Sequence, residues 1–271
     1  METYIIAEEG RKLFCRVEGE GKPLLLIHGS IVDGDFFADL SHILSRFFKV
    51  ISYDRRGYSR SDKFNDYSLE AHAEDAAEIL RQLAGEKAII VGCSLGALIT
   101  MRLTALYPEL VEYALLHEPP LLCLPGITSP EEDEALLEIK SQVERGKYKL
   151  ALLGFLGLTN GHSDPRAKPY TPEKMDQQIA NGMLFMEHEF LGQFFLGREV
   201  YGMEKLQNCG KVCCMAGDSG GDTYTVKAAR DLSAELGCPL YYVAGGHNAA
   251  HDVPKEFAAM VLGILSLREG E

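Results

Sequence analysis

A serine between two glycines, directly after an apolar run, constrains this chain more than any other feature. The apolar run covers residues 87–91 and leads into Gly92-Cys93-Ser94-Leu95-Gly96, after which a helical pattern covers residues 97–107. Ser94 therefore falls on a sharp turn from a strand to a helix. Glycine removes the side-chain bulk that such a turn excludes, and the start of the helix offers free backbone N–H groups. We interpret Ser94 as a nucleophile rather than as one residue of a glycine-rich turn.

Strand and helix patterns alternate along most of the chain. Continuous apolar strands between helices are typical of a mostly parallel sheet that is covered on both faces. After an N-terminal hairpin at 3–7 and 12–18, the predicted strands are 23–28, 49–53, 87–93, 111–117, 211–216 and 239–244. The predicted helices between and after these strands are 35–46, 68–84, 95–107, 225–236 and 254–267. The sequence therefore predicts an α/β fold.

Between residues 121 and 208 the alternation stops and only helical patterns remain. Ser129-Pro130-Glu131-Glu132 predicts one helix start, with an N-cap, a first-turn proline and a capping-box glutamate, and Thr171-Pro172 predicts another. We expect a helical cap, 121–208, inserted after strand six into a core formed by 1–120 and 209–271.

One apolar stripe in the second half of this helical segment has two interpretations. Its members recur every three or four residues, as on one face of a helix. They are Ile179, Met183, Met186, Phe190 and Phe194. The simpler interpretation is contact with the core. The alternative is an adaptable apolar roof over a substrate pocket, which methionine side chains suit.

Charge and hydropathy exclude several classes of partner. The 271 residues include 27 Lys and Arg against 40 Asp and Glu, a net charge of −13, which opposes binding to nucleic acid or to an anionic membrane surface. The N-terminus lacks a basic region before a long apolar stretch, and no segment reaches about 18 uninterrupted apolar residues. We therefore expect a cytoplasmic protein, monomeric or homodimeric, without membrane insertion.

The seven cysteines are an odd number and lie mostly in apolar surroundings, as expected for reduced core residues in the cytosol. Cys209 and Cys213 lack the Cys-x-x-Cys spacing and the nearby histidine that a zinc site needs, so we predict no metal site. The chain also lacks a Gly-x-Gly-x-x-Gly pattern and a phosphate loop with lysine. We predict no cofactor.

A serine hydroxyl needs a base within hydrogen-bond reach before it becomes a nucleophile at neutral pH. His247 follows the last predicted strand in Ala244-Gly245-Gly246-His247-Asn248, where a tight glycine loop brings an imidazole to the same end of the sheet as Ser94. His251, four residues later, is the rival and is less well placed. We interpret four further histidines as surface or cap residues: His42, His72, His162 and His188.

The base needs a carboxylate that orients it and stabilises the imidazolium. Two carboxylates are placed equally well. Asp222 lies in the loop after the strand 211–216, and Glu118 ends the strand 111–117 beside two prolines, where a buried charge needs a partner. Asp218, in the same loop as Asp222, is the third candidate. The acid stays open between Asp222 and Glu118.

Acyl transfer also needs donors for the oxyanion that develops on the substrate. His28-Gly29-Ser30 follows the third predicted strand and brings the Ser30 backbone N–H toward Ser94. The Leu95 N–H is the second predicted donor. His28 itself ends a strand, and we interpret it as a structural hydrogen-bonding residue rather than as a base.

Four motifs in order make the chain resemble the α/β-hydrolase family over nearly its whole length. They are His28-Gly29, Asp54-Arg55-Arg56-Gly57-Tyr58-Ser59-Arg60-Ser61, the Ser94 turn and Gly246-His247. The resemblance implies an α/β-hydrolase fold with a helical cap. It also implies the roles given above to Ser94, His247, Leu95 and Ser30, and it implies that the segment 54–61 is a structural turn.

The acid departs from the pattern of many relatives. They carry Gly-x-x-Asp after strand seven, whereas here the fourth residue from Gly217 is Gly220, and Asp222 lies two residues further on. A subset resembling haloalkane dehalogenases places the acid after strand six. Glu118 follows Ser94 by 24 residues, a spacing similar to theirs. Both choices keep the order nucleophile, acid, histidine.

These residues lead to the hypothesis of a carboxylesterase-like serine hydrolase that cleaves a small, apolar ester or lactone through an acyl-enzyme. A serine at position 94 argues against a dehalogenase or an epoxide hydrolase, since those relatives use a carboxylate nucleophile. A C–C bond hydrolase acting on a diketone, or a perhydrolase, would use similar groups on the same fold. A non-catalytic ligand-binding or receptor protein is the alternative from another class.

Overall fold

In the part of the chain that the computed structural model describes, residues 1–159, 166 and 169–269, eight strands form one sheet. The strands are β1 (Glu2–Ile6), β2 (Lys12–Glu18), β3 (Pro23–Ile27), β4 (Lys49–Tyr53), β5 (Ala88–Cys93), β6 (Val111–His117), β7 (Val212–Gly217) and β8 (Leu240–Val243). Their order across the sheet is β1-β2-β4-β3-β5-β6-β7-β8. β2 pairs antiparallel with β1 and β4, and the other neighbours pair in parallel.

Helices cover both faces of the sheet. They are α1 (Ala38–Leu44), α2 (Leu69–Ile79), α3 (Leu95–Leu106), α4 (Pro130–Glu144), α5 (Tyr148–Thr159), α6 (Pro172–Leu184), α7 (Phe190–Phe194), α8 (Met203–Leu206), α9 (Tyr224–Leu236), α10 (Ala249–Asp252) and α11 (Pro254–Glu269). Successive strand residues point to opposite faces, so Leu24 and Leu26 pack toward α1, α10 and α11. Leu25 and Ile27 pack toward α2, α3 and α9. The predicted α/β architecture, a mostly parallel sheet flanked by helices, is confirmed.

The helices α4 to α8 lie between β6 and β7, where the sequence predicts only helices. Both predicted helix starts are present: Ser129 and Glu132 form a capping box at α4, and the Thr171 side chain caps α6. A cluster of four phenylalanine rings, with centroids 5.2–6.1 Å apart, holds α5, α7 and the turn before α7 together. It comprises Phe155, Phe185, Phe190 and Phe194. The division into a core and a cap domain stays a prediction.

The helix bounds differ from the predicted ones where the backbone forms a 3₁₀ or a π-helical turn instead of an α-helix. α1 begins later than predicted, because the Asp33 side chain caps a separate 3₁₀ turn at Gly34–Phe37. α2 continues directly into a π-helical turn at Leu80–Ala84. A second π-helical turn, Phe185–Glu189, follows α6. This turn lies within the predicted apolar stripe and changes its helical period. Ile179, at the start of the stripe, is exposed, so the interpretation of the stripe as core contact is wrong at that residue.

The other members of that stripe are buried or partly buried in the main hydrophobic cluster: Met183, Met186, Phe190 and Phe194. This favours core contact over a roof on the pocket. All seven cysteines lie in the described part of the chain as free thiols. Of the helices in those ranges, none combines the length and the apolar character that crossing a membrane requires.

Candidate active site

Ser94 occupies a strained backbone position between β5 and α3. Its φ of 55° and ψ of −124° lie outside the regions that residues with a side chain ordinarily adopt. Gly96 permits the turn, because a Cβ there would overlap the carbonyl oxygen of Ile27 in β3. Gly92 is equally constrained, since its Cβ would overlap the Thr100 hydroxyl in α3. The turn therefore places Ser94 at the carboxyl end of the parallel strands and at the start of a helix.

His247 lies beside Glu118. The His247 Nδ1 and Glu118 Oε2 atoms are 2.6 Å apart. An ionised carboxylate only accepts hydrogen bonds, so Nδ1 carries the proton and donates it to Glu118. In the neutral ring the other nitrogen, Nε2, is then unprotonated and able to accept a proton from a hydroxyl.

Glu118 is also held by a backbone N–H and a hydroxyl. The Gly217 N–H donates to Oε1 at 2.9 Å, and the Thr225 hydroxyl donates to Oε2 at 2.7 Å. Burial alone would raise the pKa of this side chain, which is 1% exposed. The hydrogen bond and positive charge of His247, followed by His117 and the Gly217 N–H, instead lower that pKa to about 2. Glu118 is therefore a buried carboxylate that stays ionised.

The two aspartates after β7 have other surroundings. The Asp222 side chain is 85% exposed, and its Oδ1 lies 3.7 Å from Nη2 of Arg230 in α9. Asp218 accepts the Gly245 N–H at 3.0 Å and so fixes the loop that leads to His247. Of the three candidate carboxylates, the structure places Glu118 and not Asp222 beside His247. Glu118 directly follows β6, whereas the loop after β7 carries the Asp222 side chain into solvent.

Ser94 and His247 line one cavity of about 130 Å³. Within the described ranges its wall comprises Gly29, Ser30, Ile31, Val32, Phe36, Cys93, Ser94, Phe155, Leu156, Thr159, Tyr170, Gln178, Tyr224, His247 and Asn248. None of these described wall residues is a lysine, arginine, aspartate or glutamate. A smaller cavity of about 40 Å³ shares Thr159, Tyr224 and His247 with the first and reaches Glu118. The described part of the wall in front of Ser94 is therefore free of acidic and basic side chains other than His247.

The two predicted oxyanion donors flank Ser94. Leu95 is the first residue of α3, so its N–H has no acceptor within the helix. Ser30 lies on the wall of the same cavity as Ser94. Gly29 approaches so closely that a Cβ at position 29 would sit 3.0 Å from the Ser94 Cβ. The loop after β3 and the start of α3 therefore meet at Ser94.

His251, the rival base, contacts different groups. Its ring lies between those of Phe36 and Tyr170, with centroid distances of 5.6 and 4.8 Å, and its Nδ1 is 2.9 Å from Asp252 Oδ1. Phe36 and Tyr170 line the cavity, so His251 supports the wall from outside.

Three further histidines have the places that the sequence suggested, as far as the structure describes them. His28 Nε2 accepts the Arg55 N–H at 3.0 Å, which confirms its structural hydrogen-bonding role. His42 and His188 are exposed. His162 lies outside the described residues.

The sequence interpretation missed a buried ion pair between β4's end and the helical segment. Both terminal nitrogens of the Arg55 guanidinium donate to Glu189, at 3.0 and 3.1 Å, and neither side chain is exposed. His72 lies 2.9 Å from Glu189 Oε1, so its interpretation as a surface or cap residue is wrong: it is a buried residue of α2. The Tyr58 hydroxyl donates to Glu189 at 2.8 Å. Helical spacing places Glu189 beside the apolar stripe rather than in it, so no signal in the sequence indicates that this carboxylate is buried.

The sequence matches a known family and a curated relative. A family model described as alpha/beta hydrolase fold matches residues 22–152. The chain is 26% identical over 255 residues to YraK, an uncharacterized hydrolase of Bacillus subtilis (strain 168). That match covers 92% of this chain and 90% of YraK.

Solved structures share the fold along nearly the whole chain. Est816, described as an N-acyl homoserine lactone degrading enzyme, matches with a TM-score of 0.74 and 23% identity, over 96% of this chain and 99% of its own. The esterase EaEST from Exiguobacterium antarcticum matches with a TM-score of 0.76 and 18% identity, over 98% of this chain and 100% of its own. The predicted α/β-hydrolase fold is confirmed.

The lowered pKa of Glu118 predicts a stability difference that depends on pH. Its folded value of about 2 lies below the ordinary 4.5, so ionised Glu118 stabilises the fold fully above about pH 4.5, and this contribution is lost as the pH falls toward 2. Urea unfolding between pH 5 and pH 3 is expected to show a difference between wild type and Glu118→Gln that shrinks as the pH falls. Asp222→Asn, at an exposed side chain, should follow the wild type throughout. A constant difference between wild type and Glu118→Gln at every pH would contradict the assignment of a stabilised carboxylate.

Proposed function

We propose that the chain is a member of the α/β-hydrolase superfamily and a serine hydrolase of small, uncharged esters or lactones. The observation that carries the proposal is the 2.6 Å contact between His247 Nδ1 and Glu118, because it leaves Nε2 as the acceptor in the cavity shared with Ser94. Ser94 is the nucleophile, His247 the base and Glu118 the acid that orients it. The N–H groups of Ser30 and Leu95 bind the oxyanion.

The proposed reaction has two acyl-transfer steps. Ser94 Oγ attacks the acyl carbon while its proton passes to His247 Nε2, and the negative charge moves to the former carbonyl oxygen. That oxygen then reforms the C=O bond as the C–O bond to the alcohol breaks, and His247 returns the proton to the departing alkoxide. A water molecule repeats the sequence on the acyl-Ser94 ester, which releases the carboxylic acid and restores the hydroxyl.

Glu118 supports this sequence through charge and geometry. During each step His247 becomes an imidazolium, and the ionised carboxylate 2.6 Å away stabilises that cation. Because Gly217 and Thr225 hold both carboxylate oxygens, Glu118 also keeps the proton on Nδ1. The ring is then oriented with Nε2 as the base, the role that a triad acid performs.

The cavity supports a small and neutral substrate. Its volume of about 130 Å³ is comparable to an apolar cavity of roughly 150 Å³ that accommodates benzene. The described wall has no cation to pair with an anionic acyl group, and burying an unpaired carboxylate is costly. The lactone-degrading activity named for Est816 and the esterase activity named for EaEST are consistent with such a substrate.

The other hypotheses differ in substrate or in turnover. A diketone hydrolase or a perhydrolase would use Ser94, His247 and Glu118 in the same places, so only a substrate series separates them from an esterase. A non-catalytic receptor would bind its ligand without turnover. A monomeric or homodimeric state and a cytoplasmic location stay predictions.

Removal of the Ser94 hydroxyl is expected to abolish both turnover and covalent labelling. The Ser94→Ala variant should lose about 10,000-fold or more in kcat on an aryl acetate, and it should gain no mass adduct from a fluorophosphonate. Ser219→Ala, which removes an exposed hydroxyl, is the matched control and should behave as wild type. Retained ester hydrolysis in Ser94→Ala would refute the acyl-enzyme mechanism, and wild type that neither turns over nor reacts with the probe would favour the receptor hypothesis.

The two carboxylates that the sequence left open are distinguished by activity. Glu118→Gln should lower kcat by about 100-fold to 10,000-fold, because the amide no longer stabilises the imidazolium or fixes the proton on Nδ1. Asp222→Asn should stay within about twofold of wild type, since its side chain points into solvent. The measurement is the steady-state kcat of wild type and both variants on one aryl ester. The reverse order of effects would transfer the acid role to Asp222.

Charge on the acyl group should discriminate between otherwise matched substrates. An aryl butyrate and the aryl monoester of succinate have acyl chains of four carbons, and only the second ends in a carboxylate. We expect kcat/KM to be about 10-fold or more higher for the butyrate, because the described wall has no cation for the anion. Equal or reversed values would exclude a neutral-substrate pocket while leaving the serine mechanism intact.

A further inference from the structure

The Arg55 guanidinium touches the loop that carries the predicted oxyanion donor. Besides its two contacts with Glu189, its Nη2 donates to the Gly29 carbonyl oxygen at 3.2 Å. Gly29 lies in the loop after β3, whereas Glu189 lies in the π-helical turn after α6. One fully buried guanidinium therefore joins the helical segment to the loop beside Ser94.

A second donor holds the same carbonyl oxygen. His28 Nδ1 lies 2.9 Å from Gly29 O, and His28 Nε2 accepts the Arg55 N–H at 3.0 Å. Burial and the nearby Arg55 charge lower the pKa of His28 well below 6.5, so the ring is neutral and carries one proton. Because Nε2 is an acceptor, that proton is on Nδ1 and is donated to Gly29 O. The carbonyl thus accepts hydrogen bonds from both Arg55 and His28.

The orientation of this carbonyl determines the direction of the Ser30 N–H. Gly29 C=O and Ser30 N–H belong to one planar trans peptide, in which the two bonds point in opposite directions. With the oxygen held toward Arg55 and His28, the N–H is directed away from them. Gly29 packs against Ser94, and Ser30 lies on the cavity wall with it. A rotation of this peptide would withdraw the donor from the reacting oxygen.

We propose that Arg55, held by Glu189, is a positioning residue that orients the Ser30 N–H toward the oxyanion. The orientation of this N–H then depends on the position of the π-helical turn that carries Glu189. The inference rests on the proposed serine hydrolase function. A bidentate pair suits this task, because two parallel N–H···O bonds restrict the guanidinium plane. Tyr58 and His72 further confine the Glu189 carboxylate, so Arg55 cannot shift without breaking several buried contacts.

The neighbouring Arg56 provides a matched control. It pairs with Asp75 at 2.7 and 2.8 Å, and both side chains are as buried as those of Arg55 and Glu189. Arg56 donates to the carbonyls of Asp66 and Ala71, which lie away from the Ser94 cavity. Glu189→Gln and Asp75→Asn therefore remove the same kind of charge from the same kind of pair, and only the first pair contacts Gly29.

The test compares an aryl ester with the corresponding aryl thionoester, in which sulfur replaces the carbonyl oxygen. Sulfur is larger and accepts hydrogen bonds weakly, so the ratio of the two kcat values reports on the oxyanion donors rather than on general folding. In Glu189→Gln, kcat on the oxoester should fall by about 10-fold to 100-fold with little change in KM, and the oxo-to-thiono ratio should fall as well. Asp75→Asn should keep the wild-type ratio even if it unfolds at a lower temperature.

A second pair of variants covers the case in which a lone buried arginine prevents folding. Arg55→Met with Glu189→Met removes both charges at once, and Arg56→Met with Asp75→Met is its control. The first double variant should show the lowered ratio and the second should not. An unchanged ratio in Glu189→Gln and in the first double variant, or an equal fall in the controls, would overturn the positioning role. Failure of the proposed function is distinguishable, since wild type would then neither hydrolyse the oxoester nor react with a fluorophosphonate at Ser94.

Discussion

The close approach of α3 to β3 is the contact on which the arrangement around Ser94 depends. Gly96 lies against the Ile27 carbonyl with no room for a side chain, and this brings the first N–H groups of α3 beside the loop that follows β3. The chain reaches that position only through the unusual backbone angles of Ser94. The energy stored there is of order 1–3 kcal/mol, and the surrounding sheet holds it in place. The Ser94 hydroxyl, the start of α3 and the loop after β3 lie together because Gly92 and Gly96 allow the helix to approach the strands this closely.

Much of this arrangement follows from local sequence. Ser94 directly follows one apolar strand and His247 lies in the short glycine loop after another. Parallel strands end at one edge of the sheet, so the proximity of the two residues could be predicted from order alone. The sheet and the helix starts at Ser129 and Thr171 were predictable for the same reason, because periodicity and caps are local signals. The π-helical turns were not, since a single added residue per turn leaves no pattern in composition.

The carboxylate that contacts His247 and the buried pair of Arg55 and Glu189 could be identified only from the three-dimensional structure. Glu118 and Asp222 both follow parallel strands of the sheet, β6 and β7, and sequence order does not reveal which carboxylate contacts the His247 ring. The difference lies in the backbone: Glu118 has a φ of 46°, a conformation that the sequence gives no reason to expect of a glutamate. Arg55 and Glu189 are 134 residues apart, so no local period relates them. The π-helical turn also changes which residues face the core, so the burial of Glu189 does not follow from a regular helical period.

The pairing of β5 with β6 determines how far apart Ser94 and Glu118 lie. Ser94 and Glu118 immediately follow Cys93 and His117, which are partners in the ladder between the two strands. In the proposed site, the sheet itself therefore sets the spacing of nucleophile and acid. Of the loop between β7 and α9, Asp218 holds the Gly245 N–H and so the backbone before His247, whereas the exposed side chains of Ser219 and Asp222 lie outside the ladder that spaces Ser94 and Glu118.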